Sequence, residues 1–175
     1  KMLQWLREYL RGRTFEVFFR GQVSTAYPIV SGVPQGSILS PLLFNVMLSD
    51  IPQIPEVHLM SYADDLMFYT SSSSDLETQS VMQMQMDALF AWTSQWGLRV
   101  NVAKTKGMFF KSRSKDQAHP RLTFNDIDID FVFSHKYLGM WMDAPRLTWK
   151  VHVQNLKSSM IPRINIMNSI SHQHW

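Results

Sequence analysis

Apolar residues recur near the N-terminus at the spacing of an α-helix. Leu3, Leu6 and Leu10 fall on one face, and Gly12 follows where such a helix is expected to end. The next stretch, TFEVFFRGQVSTAYPIV, is rich in β-branched and aromatic residues and has Gly21 near its middle. The pattern therefore predicts a short amphipathic helix over residues 2–11, followed by a β-hairpin that turns near Gly21.

A Gly- and Pro-containing loop, SGVPQGSILS, separates this hairpin from an apolar run. Ser40 is placed to cap a helix over residues 40–49 with Pro41 at its first position, and the apolar run predicts that the helix is well buried. Further along, apolar runs at residues 57–62 and 66–70 bracket Ala63-Asp64-Asp65. This is the pattern of a strand, a tight turn and a second strand, with both acids at the tip.

A long helix is predicted after the serine cluster at residues 71–74. Ser74-Asp75-Leu76-Glu77 matches a capping box, and Gly97 is placed to end a helix of about 20 residues. Met82, Met86, Leu89 and Phe90 form one apolar stripe at helical spacing, although VMQMQM within the segment alternates as a strand does.

The C-terminal part of the chain predicts short strands. LRVNV and GMFF flank residues 103–106, and LTFNDIDIDFVF alternates around Asn125-Asp126 as a hairpin does. The segment KSRSKDQAHP between them predicts an exposed loop. Residues 137–142 predict a strand, and Thr148 is placed to cap a last helix that Pro162 would kink or end.

Composition places the chain among intracellular globular proteins. Its 175 residues, 45% of them apolar, suit one domain or part of a larger one. The absence of cysteine excludes disulfides and cysteine-based zinc sites. No apolar run reaches the roughly 18 residues that span a bilayer, and the charged N-terminal sequence does not resemble a signal peptide.

Charge is distributed unevenly along the chain. Lysine and arginine are absent between Arg20 and Arg99, an interval that carries seven acids. Residues 99–115 then carry six basic residues and no acid. An acidic centre between basic segments suits a polyanion held at its edges while divalent metal neutralises the middle, although a charged run is more often a solvated face.

The adjacent acids Asp64 and Asp65 are the strongest candidates for chemistry. Two neighbouring carboxylates repel each other unless a cation neutralises them. Mg²⁺ prefers oxygen ligands and commonly binds carboxylates together with substrate phosphates, which connects such a pair to nucleotidyl transfer. The alternative is a solvated acidic turn, the usual role of an isolated Asp-Asp pair. The apolar flanking strands favour a metal site, because they would hold the pair rigidly.

Four segments in order resemble successive motifs of reverse transcriptases: GVPQGSILSPLLFN, YADD, GLRVNVAKTKGMFF and KYLGMWMD. The similarity is greatest to the polymerases of non-LTR retrotransposons and covers nearly the whole chain. It implies an α+β fold, with a polymerase palm whose antiparallel sheet is backed by helices (residues 1–145), followed by the start of a helical thumb (146–175). The implied function is RNA-directed DNA synthesis.

The resemblance also assigns roles to individual residues. It makes Asp64 and Asp65 catalytic metal ligands, and it brings Lys104 close to the pyrophosphate leaving group, where the alternative is an ordinary surface lysine. The remaining matches are with Gln35 and Gly36 for nucleotide binding, and with Tyr62, Ala63, Tyr137, Leu138 and Gly139 for primer binding.

Cofactors and partners follow from the same resemblance. Two Mg²⁺ ions are expected, with Mn²⁺ as the alternative, together with an RNA template, a DNA primer and a dNTP. The rest of a retrotransposon polyprotein is the expected protein partner, no membrane is involved, and the expected location is the nucleus, at the site of integration.

Some features depart from the family's pattern. Val102 stands where the family often has proline, and Pro162 interrupts the expected first thumb helix. The family's first catalytic Asp lies in a motif upstream of those found here, and neither Glu8 nor Glu16 matches it. We therefore expect residues 1–175 alone to be inactive.

Two other functions are considered. An RNA-dependent RNA polymerase would share the Asp-Asp turn, but glycine in place of Ala63 would favour it and the PQG and LGMWMD motifs argue against it. A degenerate or domesticated retroelement remnant would bind nucleic acid without catalysis.

Overall fold

The computed structural model describes residues 1–111 and 120–171. Within them the chain forms four helices and twelve short strands and divides into two compact units. The N-terminal unit comprises Lys1–Ile51 and Ser61–Leu66, and the C-terminal unit comprises Pro52–Met60 and Met67–Trp175. In this part of the chain, no helix combines the length and apolarity that crossing a membrane requires.

Two helices and four two-residue strands make up residues 1–51. In chain order they are α1 (Met2–Leu10), β1 (Thr14–Phe15), β2 (Phe18–Phe19), β3 (Gln22–Val23), β4 (Tyr27–Pro28) and α2 (Ser40–Leu48). The predicted first helix and the hairpin are confirmed. Gly12, just beyond α1, has φ +63°, which suits glycine after a helix end.

The hairpin contains a bulge that the sequence did not predict. Phe15 pairs with Tyr27, whereas Phe18 pairs with Val23 and Phe19 with Gln22. The register therefore shifts by one residue between the two ladders, so that one residue of the outgoing strand opposes two of the returning strand, as at a β-bulge. Arg20 and Gly21 form the two-residue turn, both with positive φ.

Helix α2 differs from its prediction in two ways. Ser40 lies inside the helix, where its hydroxyl donates to the Pro34 carbonyl oxygen and caps no helical N–H group. The helix is also largely exposed, with Leu42 at 59% and Val46 at 61% of their full surface. An apolar sequence favours burial, but burial needs a covering layer, and within the described residues none covers these side chains.

Strands β5 (His58–Tyr62) and β6 (Asp65–Tyr69) pair as the predicted hairpin. Eight further elements follow in the C-terminal unit: α3 (Asp75–Gln95), β7 (Lys106–Gly107), β8 (Thr123–Phe124), β9 (Ile127–Asp128), β10 (Asp130–Phe131), β11 (Ser134–Tyr137), β12 (Met140–Asp143) and α4 (Lys150–Ile170). The hairpin predicted at Asn125-Asp126 is confirmed, and both turn residues have positive φ.

Helix α3 carries three of the seven buried apolar residues described in the C-terminal unit. Met86, Leu89 and Trp92 are buried on it, together with Leu122, Phe124 and Ile129 from the β8–β9 region. The Ser74 hydroxyl accepts a hydrogen bond from the Glu77 N–H group, which confirms the predicted cap. The reciprocal half of the capping box is absent, because the Glu77 carboxylate bonds to Ser72 instead.

The glutamines of VMQMQM explain why that segment alternates although it is helical. Gln83 accepts from the Thr123 N–H group at 2.9 Å and donates to the Thr123 carbonyl oxygen at 3.1 Å, so its amide pairs with the edge of β8. Gln85 lies fully buried on a different part of the helix surface and bonds to the segment before β5. Both glutamines satisfy backbone groups that would otherwise lack partners.

Several predictions for the C-terminal part are wrong. LRVNV forms no strand, and of the next predicted strand, GMFF, only Gly107 pairs, as the last residue of β7, which runs parallel to β10. The strand predicted over 137–142 is interrupted by the turn of the β11–β12 hairpin: Tyr137 ends β11 and pairs with Met140, and residues 140–142 belong to β12. Leu138 and Gly139 turn with positive φ, a conformation that residue pattern alone does not favour for leucine.

The last helix begins differently from its prediction. Trp149 rather than Thr148 is the N-cap residue of α4; the Thr148 hydroxyl donates to the Asp143 carboxylate and also accepts from the Lys150 N–H group at 3.4 Å. The Asp143 carboxylate accepts from the Trp149 N–H group at 2.9 Å. Helix α4 continues past Pro162 to Ile170, so Pro162 does not end it. The loop predicted over 111–120 lies outside the described residues apart from its two ends.

The mixed α+β class agrees with the prediction, but a single antiparallel sheet does not form. Within residues 1–111 and 120–171 the strands make six separate two-stranded pairings, and the β7–β10 pairing is parallel. Strands of two to five residues provide few ladder hydrogen bonds, so the packing against α3 rather than one continuous sheet organises the C-terminal unit.

Candidate active site

The acid pair lies at the exposed tip of the β5–β6 hairpin. Ala63 and Asp64 connect the strands, and Asp65 is the first residue of β6. Ala63 has φ +53°, so a residue with a Cβ atom occupies the left-handed region that favours glycine. Within the described residues, neither carboxylate has an ion pair or a side-chain hydrogen bond. Two uncompensated negative charges are therefore adjacent on a tightly turned backbone.

The stem of this hairpin is anchored in the C-terminal unit. Val57, just before β5, is completely buried, and its N–H group donates to the Ile54 carbonyl oxygen at 2.9 Å. The rings of His58 and Tyr69 stack with centroids 4.9 Å apart, and the Thr70 hydroxyl donates to the Glu56 carbonyl oxygen at 2.8 Å. Packing and hydrogen bonds thus hold both strands at the base of the hairpin.

The chemistry of Asp64 and Asp65 fits part of a divalent-metal site. Carboxylate oxygens are the ligands that Mg²⁺ prefers, and an exposed pair without cationic partners is open to an ion and to its other ligands. Among residues 1–111 and 120–171, no cluster of three or more histidine, aspartate or glutamate side chains could hold a metal by itself. The pair therefore fits an ion that takes its remaining ligands from substrate phosphates, water or other protein groups.

The Gly-Pro loop presents its backbone in the N-terminal unit, to which the acid tip also belongs. The Ser37 N–H group donates to the Pro34 carbonyl oxygen at 3.3 Å, which closes a turn over Gln35 and Gly36. Gly36 has φ +81°, as the third residue of a type II turn requires, and both turn residues are exposed.

Side chains from α1 and the segment after it hold this loop in place. The hydroxyl groups of Tyr9 and Ser37 bond to each other, and the Arg13 guanidinium donates to the Gly32 carbonyl oxygen. The Arg13 Nε atom also donates to the Leu10 carbonyl oxygen at 3.1 Å. The loop is thus fixed at both ends while Gln35 and Gly36 remain accessible to a ligand.

Lys104 lies on a short turn in the C-terminal unit. The Asn101 side-chain oxygen accepts from the Lys104 N–H group at 3.2 Å, and the Asn101 carbonyl oxygen accepts from the Thr105 N–H group at 3.0 Å. These hydrogen bonds fix the backbone of residues 103–105. The Lys104 ammonium is exposed and has no ion pair within the described residues. The structure leaves this cation available for an anion, as it also would for a solvated surface lysine.

The predicted primer-binding residues form the tip of the β11–β12 hairpin. Tyr137 is half-buried, whereas Leu138 and Gly139 are exposed at the turn. Leu138 has φ +46°, a strained backbone conformation for a bulky residue. Backbone strain of this kind is found preferentially at functional sites.

Asp143 is a supporting residue that sequence reasoning missed. Its buried carboxylate accepts from the Thr148 hydroxyl, which holds the pKa of this carboxyl below its usual range, although desolvation opposes the shift. The N–H groups of Trp149 and Thr148 also donate to it and lower the pKa further. Asp143 joins the end of β12 to the start of α4. The sequence feature that could have indicated this role is the position of Asp143 five residues before Thr148, just upstream of the predicted last helix.

The comparisons with known proteins agree with the sequence motifs. The family described as reverse transcriptase (RNA-dependent DNA polymerase) matches residues 1–142. The RNA-directed DNA polymerase from mobile element jockey of Drosophila melanogaster is 33% identical over 93% of this chain. Its counterpart from Drosophila funebris is 31% identical over 96% of the chain.

A polyprotein relative is more distant. The retrovirus-related Pol polyprotein from type-1 retrotransposable element R1 of Nasonia vitripennis is 24% identical over 82% of this chain and is matched over 44% of its own length. The chain spans only 18% and 19% of the lengths of the two jockey polymerases. No solved structure matches the chain significantly.

Proposed function

The chain belongs to the reverse transcriptase (RNA-dependent DNA polymerase) family of non-LTR retrotransposons, and we propose that it contributes the Asp-Asp turn to the active site of an RNA-directed DNA polymerase. In this proposal residues 1–145 form part of the palm and residues 146–175 begin the thumb. The boundary between palm and thumb is taken from the order of the family's motifs along the chain.

The observation that carries the proposal is the acid pair. Asp64 and Asp65 are exposed, adjacent and without compensating cations in the described residues, on a turn held between two paired strands. Such a pair raises the energy of the unliganded protein, and a bound cation relieves that repulsion. Its occurrence in a chain matched by the family over residues 1–142 supports a metal-binding role over a solvated turn.

The proposed reaction is nucleotidyl transfer. The primer 3′-hydroxyl attacks the α-phosphorus of a dNTP, a new phosphodiester bond forms, and pyrophosphate leaves. Two Mg²⁺ ions, which Asp64 and Asp65 would hold together with a further carboxylate, would neutralise the charge that develops on the attacking and leaving oxygens. Mn²⁺ is the alternative ion.

The remaining residues position the reactants in this proposal. The exposed turn of Gln35 and Gly36 lies against the incoming nucleotide and its template base, where a glycine backbone permits close approach. Lys104 stabilises the leaving pyrophosphate by charge. Tyr62 and Ala63, with Tyr137, Leu138 and Gly139, support the primer end.

Substitution of the principal acid tests the function. In the intact retrotransposon polymerase, Asp64→Asn is expected to abolish primer extension on RNA and to leave primer–template affinity within about twofold, because the lost charge serves metal rather than phosphate. Asp126→Asn is the matched control, since it makes the same chemical change at another exposed hairpin turn. Extension retained by Asp64→Asn would contradict the metal assignment.

A second experiment tests metal binding without activity. Mn²⁺ titrated into residues 1–175 is expected to broaden the amide NMR signals of residues 62–66 first, through paramagnetic relaxation. Asp64→Asn should remove this localised broadening, whereas Asp126→Asn should not. Uniform or absent broadening at the acid turn would argue against a metal site there.

Partners and location follow from the family and remain part of the proposal. The coarse expectation is a nucleic-acid substrate, here an RNA template and a DNA primer, and the polyprotein relative indicates that such domains occur within larger chains. Action in the nucleus, at the integration site, would place the primer end in the target DNA.

A further inference from the structure

The tip of the β2–β3 hairpin exposes two adjacent aromatic rings. Phe18 is 73% and Phe19 67% exposed, although each belongs to a hydrogen-bonded strand. Burying a phenylalanine stabilises a protein by roughly 1.5–3 kcal/mol, so two exposed neighbours forgo a substantial gain. None of the roles proposed above uses them.

The geometry of the strand places the two rings on opposite sides. Successive residues of a strand point to opposite faces, so Phe18 shares its face with its cross-strand partner Val23, and Phe19 faces the other way beside Gln22. The bulge below the tip increases the local twist and bends this end of the ribbon. The tip is therefore a two-sided aromatic wedge, which we define as Phe18, Phe19 and Arg20.

A cation completes the wedge. The Arg20 guanidinium lies 5.2 Å from the centroid of the Phe19 ring and has no ion pair within the described residues. Arg20 occupies the turn with φ +48°, where asparagine or glycine is usual. The N-terminal unit, Lys1–Ile51 and Ser61–Leu66, carries five basic and five acidic side chains, so Arg20 itself supplies the positive charge at the wedge. Such a cation can contact a phosphate or a base face.

We propose that this wedge binds single-stranded RNA, with the two phenylalanine rings stacking on successive bases and Arg20 contacting a phosphate or a base face. Every base has a π-face, so stacking of this kind tolerates any sequence, as a template contact requires. An aromatic side chain that inserts between two bases contacts a base on each face of its ring. Because Phe18 and Phe19 are exposed on opposite sides of the ribbon, each ring is open to such a contact.

A protein partner explains the same features less well. A protein interface is a patch on one side of the molecule, whereas the two rings face opposite sides and would not both be buried by one flat surface. An unpaired arginine at the centre of an apolar contact would also lose its hydration. Bases and phosphates together satisfy both the rings and the charge.

This inference rests on the proposed function in one respect, since the RNA is taken to be the polymerase template. The RNA-binding proposal and the proposed polymerase function can be disproved independently. Loss of RNA binding in wedge variants does not depend on Asp64, and the Asp64→Asn experiment does not depend on the wedge. RNA affinity that survives Asp64→Asn is expected under both.

The test measures binding by residues 1–175. The probe is a fluorescein-labelled, unstructured single-stranded RNA of about 20 nucleotides, long enough for several stacking sites. Fluorescence anisotropy is recorded at several salt concentrations, and a matched duplex RNA provides the comparison. A second oligonucleotide carries 2-aminopurine, whose emission responds to unstacking and restacking.

The variants separate stacking from charge. Replacing both Phe18 and Phe19 by leucine should weaken single-strand binding at least about fivefold, leave the salt dependence unchanged and remove the 2-aminopurine response. Arg20→Gln should instead lower the slope of log affinity against log salt by about one. Phe110→Leu is the matched control, because Phe110 is a half-exposed phenylalanine of the C-terminal unit.

The outcomes that would overturn the inference are specific. They are undetectable RNA binding by the unmodified chain, affinity of the double leucine variant within twofold of the unmodified chain, or an equal loss in Phe110→Leu. A leucine variant that changes only self-association, measured by sedimentation, would assign the wedge to a protein interface instead. Circular dichroism confirms that each variant is folded.

Discussion

Gln85 offers the sharpest test of how the segment before the acid-bearing hairpin is held. Its side chain is completely buried, its Oε1 atom accepts from the Ile54 N–H group at 2.9 Å, and its Nε2 atom donates to the Pro52 carbonyl oxygen at 2.8 Å. One side-chain amide thereby satisfies two backbone groups of a segment that is not part of any strand pairing. The turn leads directly to Val57 and β5.

The magnitude of a Gln85→Leu change follows from these contacts. Leucine has a similar size but leaves the part-buried Ile54 N–H group and Pro52 carbonyl oxygen without these partners, at a cost of about 1–3 kcal/mol each. The apolar side chain recovers about 2 kcal/mol through burial. The net loss is expected to be about 2 kcal/mol in the free energy of unfolding.

Gln85→Glu tests the donor alone. The introduced carboxylate still accepts from the Ile54 N–H group but faces the Pro52 carbonyl oxygen without a proton to donate. Burial and this repulsion raise the pKa of the introduced carboxyl above its unfolded value near 4.3. Its stabilising protonated form is fully present below that unfolded value and is lost as the pH rises through the raised, folded value. The Gln85→Glu variant should therefore gain stability on acidification, relative to the unmodified chain.

The assay is urea denaturation followed by tryptophan fluorescence, which reports on buried Trp92 of the same helix. Hydrogen exchange of the Ile54 amide gives a local readout and should accelerate in Gln85→Leu. Gln95→Leu is the control, because Gln95 is exposed on α3 and surface changes of this kind stay within about 0.5 kcal/mol. Unchanged stability of Gln85→Leu, with Ile54 still protected, would refute the reasoning.

Three further predictions concern the other parts of the site. Lys104→Ala in the intact polymerase should lower kcat about tenfold or more with little change in KM, measured by single-turnover primer extension, and an effect confined to KM would indicate ordinary ground-state binding. Leu138→Asn should raise the free energy of unfolding by about 1 kcal/mol, by relieving the strain of φ +46°, yet weaken primer extension; a less stable variant would contradict this. The lowered pKa of Asp143 contributes stability above the unfolded value near 3.9 that is lost as the pH falls through the folded value, so Asp143→Asn should remove this acid-induced loss, followed by circular dichroism of α4.

The expectation that residues 1–175 do not extend a primer alone stays a prediction. Within the described residues, Asp64 and Asp65 are not joined by a third acidic or histidine side chain that could complete a metal site. Primer extension by the purified chain with Mg²⁺ would contradict it. The same measurement with Mn²⁺ guards against a requirement for the alternative ion.

Local chemistry made several elements predictable. The Ser74 cap, the glycine after α1 and the Asn125-Asp126 turn depend on neighbouring residues, and all are confirmed. The acid turn was predictable for the same reason, since two apolar runs around three residues leave little choice but a hairpin. The functional interpretation of the acid turn came from the order and spacing of the four motifs, which can be read from the sequence without a structure.

Other features depended on residues that are distant in sequence. The β11–β12 turn places leucine at positive φ, a choice that local preference opposes and that only strand pairing from Ser134 to Asp143 enforces. The apolar sequence of α2 could predict a tendency to be buried but not the presence of a covering layer. Thr148 was expected to cap α4 on local grounds; its hydroxyl accepts from the Lys150 N–H group but also donates to the Asp143 carboxylate, a contact that the local sequence did not predict.

The sequence by itself therefore determined the family, the acid turn and those helix ends and turns whose hydrogen bonds close within a few residues. Only the tertiary structure decided the partners of Gln85, the bulge that twists the aromatic wedge and the role of Asp143. The physical reason is the same in each case. The partner of a polar side chain, or the register of a strand pair, depends on which group is brought close in space by folding, and the order of residues along the chain does not specify this.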